Sequence, residues 1–289
     1  MKFGTFTSTV SGNVQYIDSE RGEGLLVYHH GTPAAGRMHD DLLLPAAAAN
    51  LRIVELVRPG YGESERLPGR SIADVVPLAD ALAAHLGFET YVTMGWSGGG
   101  PHALANAALS DRCVAAMCLA GVGMFGESSL DFLAGMGQEN IDEFGAAIDG
   151  EEALRVYLDR EANVLRYVSG GDVIEAMSTL LPQADRELLT DEYATWFAEE
   201  LRWSVANGID GWLDDDLAFT KDWGFKLADV HSPITLWQGR EDLMVPSQHG
   251  EWLADRLPDV EAHLLEGHGH LSIAGPATSE GFGFLSRRL

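Results

Sequence analysis

One serine stands among glycines in the segment Met94-Gly95-Trp96-Ser97-Gly98-Gly99-Gly100, and its spacing fits Gly-x-Ser-x-Gly. Such a spacing places a serine on a sharp turn whose flanking backbones cross too closely for a Cβ, so Gly95 and Gly99 are the residues the turn requires. A serine held this way is a nucleophile once a base takes its proton and a third group orients the base. Bases and acids follow in a suitable chain order. Glu241 and Asp242 lie in Trp237-Gln238-Gly239-Arg240-Glu241-Asp242-Leu243-Met244-Val245-Pro246, and His268 and His270 lie in Leu265-Glu266-Gly267-His268-Gly269-His270-Leu271. Within each pair, either residue could serve while the other faces solvent. A developing oxyanion needs two N–H donors. Gly98, directly after the serine, offers one, and Thr32 in Tyr28-His29-His30-Gly31-Thr32-Pro33 offers the other through its backbone. His30 and Gly31 read as supports of that loop, His30 as a brace and not a base.

These residues need a scaffold that brings four distant loops to one place. Lys2 to Val10 and Val14 to Asp18 alternate around Ser11-Gly12-Asn13, which predicts an opening β-hairpin. Strand-type runs follow at Leu25 to His29, Arg52 to Val57, Tyr91 to Met94 and Val114 to Ala120, with helical patterns at Ile72 to Leu86 and Pro101 to Leu109. Strands alternating with helices predict an α/β fold with a mostly parallel central sheet flanked by helices. From about Met124 to Phe219 the pattern is acidic, helical in period and rich in aromatics: Tyr157, Tyr167, Tyr193, Trp196, Phe197, Trp203 and Trp212. Strands resume at Ile234 to Gln238 and Glu261 to Leu265, each followed by a helix, Gln248 to Arg256 and Pro276 to Arg288. This predicts a core in two parts, 1–123 and 223–289, with a helical cap inserted at 124–222. Most of the cap aromatics are expected to pack helix on helix, and one or two to face a cleft. Each candidate residue falls at a strand end, where such sheets carry their sites.

Composition narrows the partners. The formal net charge of −25 opposes nucleic acid, which needs a basic surface, and opposes docking on anionic membranes. It reads as a solvating surface, with a site for cationic substrates as the sharper alternative. The longest apolar stretches fall far short of the ~20 residues of a membrane helix. The N-terminus shows no apolar signal core or cleavage site, which predicts a cytoplasmic chain. The two cysteines, Cys113 and Cys118, form no disulfide framework and read as small core residues. No His, Cys or acid spacing predicts a metal site, and no nucleotide fingerprint predicts a cofactor. The expected partner is a small-molecule substrate.

Together, His30-Gly31-Thr32-Pro33, Arg58-Pro59-Gly60-Tyr61-Gly62-Glu63-Ser64, Gly95-Trp96-Ser97-Gly98-Gly99, Gly239-Arg240-Glu241-Asp242 with Val245-Pro246, and Gly267-His268-Gly269-His270 resemble the α/β-hydrolase superfamily. They are most similar to its capped serine hydrolases related to proline iminopeptidases, esterases and cofactor-free perhydrolases. The resemblance implies that the final acid of its loop, Asp242, and the second histidine, His270, join Ser97 in a triad. It implies hydrolysis of a small ester, lactone, amide or related carbonyl compound through an acyl-enzyme. Serine at the elbow disfavours dehalogenase and epoxide hydrolase chemistry, where the elbow carries Asp. The oxyanion loop and the Gly98-Gly99-Gly100 run depart from the iminopeptidase pattern. An aminopeptidase would also need cap acids for an α-ammonium, for which Glu139, Glu143, Glu192 and Glu199 are candidates. Perhydrolysis or cofactor-free oxygen chemistry would use the same Ser and His, and a ligand sensor on this scaffold would need neither.

Overall fold

The computed structural model describes residues 1–289, the side chain of Ala176 excepted. Strands β1 (Lys2–Ser8) and β2 (Gly12–Asp18) form the antiparallel opening hairpin. Then come β3 (Gly24–His29), β4 (Leu51–Leu56), β5 (Tyr91–Trp96), β6 (Cys113–Leu119), β7 (Ile234–Gly239) and β8 (Val260–Leu265). The sheet order is β1-β2-β4-β3-β5-β6-β7-β8, parallel from β4 to β8 and antiparallel where β2 meets β4. The central strands are buried along nearly their whole length, as strands covered on both faces are. The chain winds outward in opposite senses from the β3–β5 pair, so the crevice at the carboxyl ends of these two strands is where a ligand fits. His29 at the end of β3 lies opposite Gly95 near the end of β5, which puts the Gly31-Thr32 loop beside Ser97.

Helices α1 (Asp40–Ala48) and α11 (Ala274–Ser286) pack together in the core that covers one face. The core on the other face takes α2 (Val76–His85), α3 (Gly100–Leu109) and α10 (Ser247–Ala254). Helix α1 is not announced by the sequence pattern: Pro45 sits inside it, and only Leu42 and Ala46 are buried. The pattern expected at Ile72 to Leu86 begins as a tighter turn at Ala73–Val75 before α2. No helix among the described residues is long and apolar enough to cross a membrane.

Six helices lie between β6 and β7: α4 (Gln138–Asp149), α5 (Glu151–Leu165), α6 (Gly170–Ala176), α7 (Gln183–Leu188), α8 (Asp191–Ser204) and α9 (Asp210–Phe219). Helix α8 buries Tyr193, Phe197 and Leu201 at every fourth position, the spacing of one helix face. That face joins Val173, Leu180 and Leu181 in a cluster that also takes in Met244 and Leu271, next to the candidate acid and base. Helix α9 docks by charge. Its Asp215 is wholly buried and meets Arg58 (2.6 Å) and Arg70 (2.6 Å), also buried, with Tyr61 Oη donating at 3.0 Å. Arginine supplies several donors in a fixed fork, which suits it to a buried pair. Removing one partner of such a pair leaves an uncompensated charge in the interior. Asp215→Ala is therefore expected to cost about 3–5 kcal/mol, read as a lower urea midpoint; an unchanged midpoint would show that the cluster does not hold the helices down.

Candidate active site

Strand β5 ends at Trp96, and Ser97–Gly99 form one tight turn that runs straight into α3. Ser97 has φ +56°, a left-handed conformation costing a residue with a Cβ about 1–3 kcal/mol. The packing keeps it there. A Cβ on Gly95 would strike the Gly99 carbonyl, and one on Gly99 would strike the His29 carbonyl. Gly98 opens the turn that leads into α3, so its backbone lies at the positive end of the helix. A Cβ there would strike the Thr32 side chain.

Asp242 follows β7 and is buried. Its Oδ1 accepts the backbone N–H groups of Met244 and Val245, both at 2.8 Å. Its Oδ2 accepts Gln238 Nε2 at 3.0 Å and lies 2.7 Å from His270 Nδ1. With the carboxylate on Nδ1, the ring's Nε2 is left to accept a proton. Burial opposes charge on His270, but the Asp242 carboxylate outweighs it, with Asp185 adding to the effect, and the pKa rises above the ordinary 6.5. The neighbours are placed otherwise. Glu241 is exposed and its N–H donates to the His268 carbonyl at 2.9 Å. Among the described residues Ser97 makes no hydrogen bond to His270, although both line one cavity; such contacts are often loose before substrate binds.

The loop after β3 is tied down by Arg58, which donates to the carbonyls of His30 and Gly31 (2.7 Å for the latter). His30 bonds the Gly31 carbonyl through Nδ1 at 2.8 Å and accepts the Arg58 N–H on Nε2 at 3.2 Å. Burial, then the Arg58 charge, pushes its pKa well down. A neutral ring with both nitrogens occupied is a brace. The Thr32 hydroxyl, incidental in a backbone-only view, donates to Asp215 at 2.9 Å and accepts from Arg58 at 3.0 Å.

Two residues outside the sequence motifs complete the frame. Asp215 anchors Arg58 and Thr32. Asp185 of α7, fully buried, accepts Leu271 N (3.1 Å), Ser272 N (2.9 Å) and Ser272 Oγ (2.6 Å), the residues just after His270. Nothing local in the sequence marks either carboxylate, because its partners lie far along the chain.

Ser97 and His270 open on a cavity of about 100 Å³ whose walls include Trp96, Tyr193, Trp196, Phe197, Met244 and Leu271. Three of the helical-insert aromatics thus face it, where one or two were expected, while Tyr167 is exposed and Trp203 packs on Gly36 and Gly62. Glu200 also lines this cavity, and burial pushes its pKa well up. On another side of Ser97, Gly98 and Thr32 border a smaller cavity of about 40 Å³ that reaches Asn140, Glu143 and Asp216. Of the other acids considered for an ammonium, Glu139 bonds Thr179, Glu199 pairs with Arg37 at 2.8 Å, and Glu192 is exposed. Among the described residues no group of three or more His, Cys, Asp or Glu is placed to hold a metal ion.

A family profile described as alpha/beta hydrolase fold matches residues 24–275. The chain belongs to the α/β-hydrolase fold family. Its relatives include hydrolases and an esterase. The chain is 28% identical over 262 residues to 2-hydroxy-6-oxononadienedioate/2-hydroxy-6-oxononatrienedioate hydrolase 2 of Pseudomonas putida, covering 89% of this chain and 85% of the relative. A 55-residue stretch is 38% identical to the pimeloyl-[acyl-carrier protein] methyl ester esterase of Aromatoleum aromaticum, 19% of this chain and 22% of that one. The solved esterase of Exiguobacterium antarcticum superposes with a TM-score of 0.72 at 15% identity, over 97% of this chain and 98% of that one. That likeness is one of fold.

A base works only when neutral. With the His270 pKa raised, kcat/KM is expected to climb with pH through a midpoint above that of a free imidazole and then level off. Asp185→Asn removes one of the charges that raise it, so the midpoint is expected to move to lower pH. An unmoved midpoint in a folded variant would show that Asp185 does not act on the ring.

Proposed function

We propose that the chain hydrolyses small, largely apolar esters or related carbonyl compounds through a covalent acyl group on Ser97. The observation that carries this is the Asp242–His270 hydrogen bond beside a strained serine that opens on the same apolar cavity. Ser97 Oγ attacks the carbonyl as His270 Nε2 takes its proton. The Thr32 and Gly98 N–H groups receive the oxyanion. The carbon–oxygen bond to the leaving group breaks, and the departing alcohol takes the proton back from His270. Water then attacks the acyl-serine, gives its proton to His270, and releases the acid as the serine regains its hydrogen. Asp242 holds the ring in register and stabilises its charged form.

The relative from Pseudomonas putida acts, by its name, on a dicarboxylate. Here the smaller cavity beside Ser97 is lined by Glu143 and Asp216 and by no lysine or arginine, which opposes a carboxylate on that side, whereas the larger cavity holds Arg37 and a Glu200 whose charge burial disfavours. Ser97→Ala and His270→Ala are each expected to lower p-nitrophenyl acetate turnover by about a thousandfold or more. A fluorophosphonate should label the wild type at Ser97, located by peptide mass spectrometry. Label at another residue, or turnover that survives Ser97→Ala, would contradict the proposal.

A further inference from the structure

Two cavities meet at Ser97, and only one of them touches the base. The larger, of about 100 Å³, is bordered by His270 and walled by Trp96, Tyr193, Trp196 and Phe197. The smaller, of about 40 Å³, is bordered by Gly98 and not by His270, while Thr32 and Ser97 border both. A carbonyl carbon bonded to Ser97 Oγ carries three further groups. The oxyanion goes to the N–H groups of Thr32 and Gly98. The leaving oxygen must come within about 3 Å of His270 Nε2, which hands it a proton. The leaving group therefore extends into the cavity that His270 borders, and the acyl chain is left with the other.

The walls of the smaller cavity set a length. Phe219 of α9 stands against the oxyanion donor, its Cζ 2.8 Å from where a Cβ on Gly98 would lie. Phe144 of α4 borders the same space and meets Phe132 and Phe219 edge-on, with ring centroids 5.0 and 6.4 Å away. Rings interlocked in this way in a close-packed interior hold their places. A water fills about 10–15 Å³ of such space, so the cavity takes roughly three atoms of that size. Asn140, Glu143 and Asp216 also line it, and an apolar chain long enough to reach them would bury polar groups against carbon. By the same ratio the larger cavity takes roughly seven or eight atoms, and its lining is chiefly aromatic and aliphatic.

We propose that the smaller cavity is the acyl site and the larger one the alcohol site, with Phe144 and Phe219 restricting the acyl chain to about two to four carbons, the carbonyl included. The inference rests on the hydrolase reading above and names its substrate class: esters that join a short acid to a bulky apolar alcohol. An ester of the opposite build, with a bulky acid and a small alcohol, would have to force its acyl chain into the Phe144 wall or turn its leaving oxygen away from His270.

Benzyl acetate and methyl phenylacetate test this. They are isomers with the acyl and alcohol parts exchanged, so composition is the same and only the side that carries the ring differs. The kcat/KM of each is divided by its rate of alkaline hydrolysis, which removes intrinsic reactivity. The wild type is expected to favour benzyl acetate by about tenfold or more. Phe144→Ala enlarges the smaller cavity and is expected to bring that ratio toward parity, and to raise p-nitrophenyl hexanoate relative to the acetate. Folding is checked by circular dichroism, and Phe144→Leu, expected to move both ratios in the same direction by less, serves if the alanine variant does not fold. Each ratio is taken within one protein, so a general loss of activity does not imitate the effect. Equal turnover of the two isomers by the wild type, a preference for methyl phenylacetate, or ratios unmoved in a folded variant would overturn the proposal. Any of these, with p-nitrophenyl acetate still cleaved through Ser97, would leave the hydrolase reading standing. No turnover of any of these esters would end both.

Discussion

The buried carboxylate of Asp215 ties the helices between β6 and β7 to the loops at the sheet's carboxyl edge. It is delivered by α9, yet its partners lie on elements before β6: Arg58, Arg70, Tyr61, the Thr32 hydroxyl and, at 3.8 Å, His102. Arg58 passes the constraint on, since the guanidinium that pairs with Asp215 also holds the carbonyls of His30 and Gly31. Two buried arginines and one buried carboxylate are costly unless each is paired. Arg58 uses its donors for Asp215, the Thr32 hydroxyl and the carbonyls of His30 and Gly31, so the charge cluster ties the Thr32 loop to α9.

The insert has a second hold on the site. Asp185 takes the backbone N–H groups of Leu271 and Ser272 and so fixes the chain just beyond His270, and Gly269 has no room for a Cβ because Pro182 and Asp185 lie against it. Trp96, next to the nucleophile, donates to the His270 carbonyl at 3.3 Å. The Thr32 loop and the His270 loop are therefore each tied to these helices by a buried acid, Asp215 and Asp185. These helices both wall the larger cavity beside Ser97 and brace the groups proposed to react, and placement to within a fraction of an ångström is what such bracing supplies.

Much of this was legible in the sequence where the physics is local. Gly95 and Gly99 announce a backbone crossing because no other residue fits it. The central strands of the sheet read clearly because they are buried on both faces. Residue composition alone left Glu241 beside Asp242 and His268 beside His270 as open pairs; in the structure one of each pair is buried and bonded to the other, Asp242 with His270. What did not read was long-range. Asp214-Asp215-Asp216 looks like a solvated acidic turn, and only the distant Arg58, Arg66 and Arg70 show that two of the three are paired inside the protein. Asp185 is likewise one acid among many in an acidic segment. Helix α1 escaped because Pro45 interrupts its pattern and little of it is buried. The large negative charge is accordingly not all surface, since several of the carboxyls that contribute to it frame the site.

The central claim is that Ser97, served by a carboxylate-oriented His270, carries the acyl group between two half-reactions. Rapid mixing with p-nitrophenyl acetate, quenching in acid and weighing the intact protein tests this most directly. The account requires a burst of nitrophenol matched by a single acetyl adduct that maps to Ser97 and decays at the steady-state rate. Turnover with no adduct on Ser97 at any time, under conditions where release of the acyl group is slow enough to trap one, would mean that water attacks the substrate directly and that the strained serine serves some other purpose.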